Sequence, residues 1–124
     1  MSTILLVEDD PDIRHLVSDR LTNGGFDVVG AADGPTALCA AREQPPDLVL
    51  LAVRMPALCG IDVCRELRAG PVTAPVPIIM LTARSRPEDL EQGYAAGATG
   101  HIVRPFSPGE LQERVEAALA RAGS

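Results

Sequence analysis

The sequence predicts a doubly wound α/β domain, a parallel sheet with helices on both faces. Two observations carry that reading. Short apolar runs alternate with segments of helical period five times along the chain, and crossovers of this length join parallel strands. The longer apolar runs are continuous rather than alternating, as in strands covered on both faces. The 124 residues make one domain, 1–124, since domains run to ~100–200 residues. A chain of this size buries roughly two-thirds of its unfolded surface, enough for a single core.

The elements follow in order. Residues 4–7, Ile-Leu-Leu-Val, form the first strand. Asp10-Pro11 then places a capping carboxylate before a first-turn proline, and Ile13, Leu16, Val17 and Leu21 give the helix an apolar stripe that stops at Gly24-Gly25. Val28-Val29 is the second strand, and Ala37, Leu38 and Ala41 stripe a second helix that Pro45-Pro46 ends. Residues 48–53 form the third strand, followed by a helix with Val63, Cys64 and Leu67 on its apolar face and a stop at Gly70-Pro71. Residues 71–77 read as a connector, and 76–81 as the fourth strand. Ser85 with Glu88 fits a capping box for a helix striped by Leu90, Tyr94 and Ala98 and stopped at Gly97. Ile102-Val103 is the fifth strand, and Ser107 with Glu110 caps a last helix along Leu111, Val115, Ala118 and Leu119.

Composition removes several classes of function. Seventeen acidic against 11 basic residues give a net charge of −6, which opposes a nucleic-acid backbone. Every basic residue is arginine, so no side-chain amine is present for Schiff-base or lysine general-base chemistry. No apolar run approaches the ~20 residues of a membrane helix. The N-terminus lacks a basic segment and runs into acids, unlike a signal peptide. Three cysteines without metal-site spacing, Cys39, Cys59 and Cys64, fit a reduced cytoplasmic setting. Cys64 lies on the apolar stripe, while Cys59, beside Gly60 in a loop, is the more accessible of those two and the one open to a redox role. His15 falls on the polar side of the first helix.

Doubly wound sheets bind ligands outside the carboxyl ends of their strands. There the sequence places Glu8-Asp9-Asp10, then Ala52-Val53-Arg54-Met55-Pro56, then Thr82-Ala83, then Arg104-Pro105-Phe106. Two carboxylates after the first strand repel the phosphates of a nucleotide or flavin, which want a Gly-rich loop. They suit a hard cation such as Mg²⁺. Asp10 reads as a helix cap rather than a ligand.

These residues in this order resemble the receiver domains of bacterial two-component response regulators, over residues 3–121. The resemblance implies a flavodoxin-like (βα)5 three-layer sandwich of the chemotaxis-regulator kind, sheet order 2-1-3-4-5. It also implies that Glu8 and Asp9, with the backbone carbonyl of Arg54, stand where the family binds Mg²⁺, and that Thr82 stands where a hydroxyl meets the phosphoryl group. The chain departs from the family at four positions, one of them Cys59, which stands where an acidic residue of the following loop is common. Ala52 occupies the place of the phospho-accepting aspartate, Arg104 that of a lysine, and His101 that of the aromatic switch residue. Alanine has no oxygen, so Ala52 can neither attack phosphorus nor hold a metal, and Mg²⁺ is expected to bind weakly or not at all. Arg104 keeps the positive charge as a planar fork and is expected to pair bidentately with Asp9. His101 is expected to be a partly exposed edge residue. The Arg104-Pro105 bond is expected to be cis.

The expected function is a signalling module that binds proteins independently of phosphorylation, not an enzyme. Its partners, a histidine kinase, an output domain or a second copy, would meet the face of the fourth helix, fifth strand and fifth helix, bearing Glu88, Asp89, Glu91, Tyr94, His101, Glu110 and Arg114. Two other readings stay open: an ordinary Mg²⁺-dependent receiver whose aspartate was replaced by Ala52, and a metal-dependent phosphatase using the acidic pair.

Overall fold

The computed structural model describes residues 2–55, 57–83 and 86–122. Five strands and five helices alternate: β1 (Thr3–Val7), α1 (Pro11–Asn23), β2 (Asp27–Ala31), α2 (Gly34–Glu43), β3 (Leu48–Ala52), α3 (Gly60–Ala69), β4 (Ile78–Ala83), α4 (Pro87–Ala96), β5 (Gly100–Arg104) and α5 (Pro108–Ala122). The strands form one parallel sheet in the order β2-β1-β3-β4-β5, the flavodoxin-like arrangement expected. The fourth strand starts at Ile78 rather than 76 and runs on to Ala83. Pro77 has no N–H to give a ladder, and it instead accepts a bond from Val49 N (3.0 Å).

Successive strand residues point to opposite faces, and each face packs its own helices. Leu5, Val7, Val49, Leu51, Ile78 and Met80 meet the buried sides of α2, α3 and the end of α4. Ile4, Leu6, Leu48, Leu50, Ile79, Leu81 and Ile102 meet α1 and α5. All of β3 is buried, the reason its sequence is an uninterrupted apolar run.

Helix starts follow local chemistry. Asp10 caps α1, accepting from Asp12 N (2.9 Å) and Ile13 N (3.4 Å). Ser107 accepts from Glu110 N at 3.1 Å. Ser85 lies outside the described residues, and α4 begins after Arg86, which makes no side-chain capping bond. Gly97, at φ 108°, ends α4 in the left-handed conformation that glycine adopts freely.

Two apolar stripes are corrected. Leu16 on α1 is 53% exposed, and the buried residues of that helix are Val17 and Leu21. In α4 the buried face is Asp89, Gly93 and Ala96, not Leu90 and Tyr94; Tyr94 is 55% exposed, and Ala98 follows the helix. The rotation follows from close packing. A Cβ on Gly93 would lie 2.6 Å from His101 Cε1, so only glycine lets α4 approach β5 there.

Arg68, at the end of α3, ties the opposite end of the sheet. Its guanidinium donates to Gly97 O (2.8 Å), Ala74 O (2.8 Å), Val76 O and Thr99 Oγ1 (3.2 Å). Those acceptors belong to the connector after α3 and the turn after α4, so one side chain satisfies polar groups of both segments.

Candidate functional site

The carboxyl ends of β1, β3, β4 and β5 converge on a cleft of about 320 Å³ lined by Glu8, Asp9, Val53, Arg54, Thr82, Asp89 and Arg104 among others. Register brings these groups together. Val7 pairs with Leu51, Ala52 with Leu81, and Ala83 with Arg104, so the first residues past each strand end share one level. Ala52 is the last residue of β3 and is fully buried. The following loop folds back onto it. Gly60 N donates to Val53 O at 2.8 Å, and a Cβ on Gly60 would collide with the Ala52 carbonyl oxygen, so residue 60 must be glycine for the loop to close this tightly.

Glu8 is the more buried of the two acids that follow β1, at 2% exposure. Burial pushes its carboxyl above the ordinary range and the neighbouring Asp9 side chain adds to that, against the opposing pull of Arg104 and of the Asp10 N–H. Arg104 Nη1 lies 3.2 Å from Glu8 Oε1. The contact is an ion pair without hydrogen-bond alignment, and Glu8 Oε1, Arg104 Nε and Thr82 Oγ1 are all buried with no hydrogen-bond partner among the described residues. The expected bidentate pair of Arg104 with Asp9 is therefore corrected: the guanidinium turns to the more deeply buried acid, where an unopposed charge costs most. Thr82 is 1% exposed, and its hydroxyl has no structural partner among the described residues. The Arg104-Pro105 peptide is cis, as expected.

His101 is 5% exposed, not a partly exposed edge residue. β5 is an edge strand, but α4 covers the imidazole, with Tyr94 stacked edge-on at 4.5 Å between ring centroids. Burial pulls the His101 pKa below its usual value, partly offset by the Leu90 backbone and then by the charge of Asp89. Neither ring nitrogen has a hydrogen-bond partner among the described residues. The face of α4, β5 and α5 thus keeps Glu88, Glu91, Tyr94 and Arg114 exposed and Glu110 half-buried, but loses Asp89 and His101 to the interior.

Two features escaped the sequence reading. The sequence points to Arg54 for its backbone carbonyl alone, yet its side chain reaches α4 and grips Asp89 in a two-pronged ion pair, Nη2 to Oδ1 at 2.9 Å and Nε to Oδ2 at 3.2 Å. The only signal was the small-residue spacing of Asp89, Gly93 and Ala96, which marks that side as the inner one. The second is Arg68, whose role depends on where backbone carbonyls end up. Among the thiols, Cys39 is exposed, Cys64 is buried and Cys59 is half-buried; Cys59 Sγ donates to Val53 O at 3.1 Å.

Comparison with known proteins bears on this architecture. The family described as the response regulator receiver domain matches residues 4–116. The chain is 46% identical over 118 residues to the DNA-binding response regulator MtrA of Mycolicibacterium smegmatis, covering 95% of this chain and 50% of that protein. It thus spans about half the length of the curated relatives it matches. Among solved structures, a putative response regulator from Chloroflexus aurantiacus superposes with a TM-score of 0.94 at 35% identity, covering 97% of this chain and 98% of that one. The receiver domain of the sensor histidine kinase PA1611 from Pseudomonas aeruginosa, which has a magnesium ion coordinated in its active-site cleft, superposes at 0.90 with 35% identity, covering 96% and 98%.

Proposed function

This chain belongs to the response-regulator receiver family, and from that premise we propose that it works as a protein-interaction module that no aspartyl phosphate switches. The observation that carries the proposal is Ala52. It closes β3 at full burial, at the level of Glu8, Thr82 and Arg104, and offers a methyl group where phosphoryl transfer needs a nucleophilic oxygen.

The surrounding groups suit a standing electrostatic arrangement. Glu8 and Asp9 have the oxygen chemistry that a hard cation prefers, but Arg104 Nη1 already lies 3.2 Å from Glu8 Oε1, and position 52 supplies no ligand. The residues do not fit a resident Mg²⁺, and weak or absent binding is the reading we adopt. Arg104 stands in as the cation, covalently fixed to β5. With no nucleophile at the strand end, no phosphatase turnover is expected.

Output through the exposed parts of α4, β5 and α5, where Glu88, Glu91, Tyr94 and Arg114 lie, would be protein recognition: a kinase, an output domain or a second copy. A partner biases such a module only by binding one of its conformations better than another. The net charge of −6 supports protein rather than nucleic-acid contact for this chain.

Intact-mass spectrometry of the chain and of Ala52→Asp, each incubated with Mg²⁺ and a small acyl phosphate donor, tests the proposal. The expected result is no phosphoryl adduct on the parent. An adduct on the parent refutes the reading. An adduct on Ala52→Asp alone locates the silencing in that one side chain and favours recent or engineered replacement of the aspartate. Absence from both assigns it also to Arg104 and its surroundings.

A further inference from the structure

The helix α4 has an unusual means of attachment. Its buried residues are Asp89, Gly93 and Ala96, so no apolar side chain larger than a methyl anchors it fully in the core. The larger side chains, Leu90 and Tyr94, are half-buried and exposed. With so little apolar area removed from water, burial alone holds the helix weakly. Polar contacts stand at its two ends instead. At the start, the Asp89 carboxylate, 1% exposed, receives both prongs of Arg54. At the end, Arg68 Nε donates to Gly97 O at 2.8 Å.

The two ends differ in kind. The Arg68 guanidinium bonds backbone oxygens from several segments, so it is fixed whatever α4 does. The Arg54 side chain is 57% exposed and projects from the loop after β3, so its grip on Asp89 is open to solvent and to competing anions. We propose that the Arg54–Asp89 ion pair is a clasp that docks α4 on the loop after β3, and that α4 opens as a unit, the sheet staying folded, when the charged Asp89 carboxylate loses the Arg54 cation. The reasoning is electrostatic. A carboxylate at 1% exposure tolerates loss of its cation poorly, and the cheapest way to rehydrate Asp89 is to lift the helix that carries it. The inference does not depend on whether position 52 accepts phosphate.

Opening has a built-in reporter. Cys64 on α3 is fully buried and its thiol donates to Ala96 O of α4 at 3.6 Å, while Cys39 on α2 is exposed and serves as an internal standard. The test measures site-resolved alkylation of Cys64 and Cys39 by mass spectrometry across sub-denaturing urea, in the parent, Arg54→Gln, and the double variant Arg54→Gln/Asp89→Asn. For Arg54→Gln, labelling of Cys64 should accelerate at least about tenfold relative to Cys39, with little dependence on urea, the mark of local opening. The double variant, which leaves no unpaired buried carboxylate, should return most of the way to the parent rate. An unchanged Cys64 rate overturns the proposal. So does an acceleration that steepens with urea as global unfolding does, or a double variant as reactive as the single one.

Discussion

The sharpest perturbation of the cleft is Arg104→Gln, because it separates two descriptions of the acidic pair: one held by an internal cation, the other awaiting an external one. Breaking a fully buried ion pair from one side costs about 3–5 kcal/mol. Here Glu8 is 2% exposed but Arg104 is 29% exposed, and the contact lacks hydrogen-bond alignment, so solvent screening reduces the expected loss to about 1–2 kcal/mol. The same substitution frees Glu8 and Asp9 to take a metal. If the freed pair binds Mg²⁺ with a dissociation constant near ~1 mM, then ~10 mM Mg²⁺ restores about 1.4 kcal/mol by mass action. The parent, whose cation site is already served, should gain about 0.4 kcal/mol or less under the same conditions. The assay is urea unfolding of both proteins with and without MgCl₂, at ionic strength matched with NaCl. A parent that gains as much from Mg²⁺ as the variant would refute the internal-cation argument, and so would a variant no less stable than the parent.

Two further predictions concern single side chains. Glu8→Gln should stabilise the fold at pH 7 and much less at pH 4. The folded-state pKa of Glu8 lies above its unfolded value, so its favourable contribution is present below the unfolded pKa and is lost as pH rises through the folded one; urea midpoints at the two pH values check this, and an advantage that is larger at pH 4 contradicts it. The downward-shifted His101 has the opposite slope but is common to both proteins and cancels in the difference. Arg68→Ala should cost about 3 kcal/mol, the worth of a few charge-assisted bonds to part-buried carbonyls, and a urea-measured loss under about 1 kcal/mol would show that water replaces them.

The sheet was legible in the sequence because each of its cues is local. The uninterrupted run ending in Ala52 reads as a central strand whatever surrounds it, and Asp10-Pro11 marks a helix start within two residues. The register of the strand ends followed, and with it the set Glu8, Asp9, Thr82 and Arg104, because neighbouring parallel strands paired in register end near one level. What could not be read was the partner each side chain takes there. Asp9 and Glu8 are adjacent acids, and the choice of Arg104 between them is decided by burial, which depends on how α1 and the loop from residue 53 close over the cleft. The Gly60 N–H that fixes that loop gave no signal beyond a glycine in a turn.

Helix α4 shows the same limit from the other side. Leu90 and Tyr94 form the more hydrophobic stripe, and burial by hydrophobicity alone would turn them inward. The helix instead turns Asp89, Gly93 and Ala96 inward, because the imidazole of His101 stands on β5 directly beneath it and leaves room for hydrogen alone at position 93. Once Gly93 is placed, the 3.6-residue period carries Asp89 to the same side, and a buried carboxylate then requires a cation within reach. Arg54 is the one that arrives. The buried His101, a glycine on the facing helix and an ion pair to the loop beside Ala52 are thus consequences of one packing constraint. That constraint links β5 to the cleft through α4 without any group at position 52 taking part.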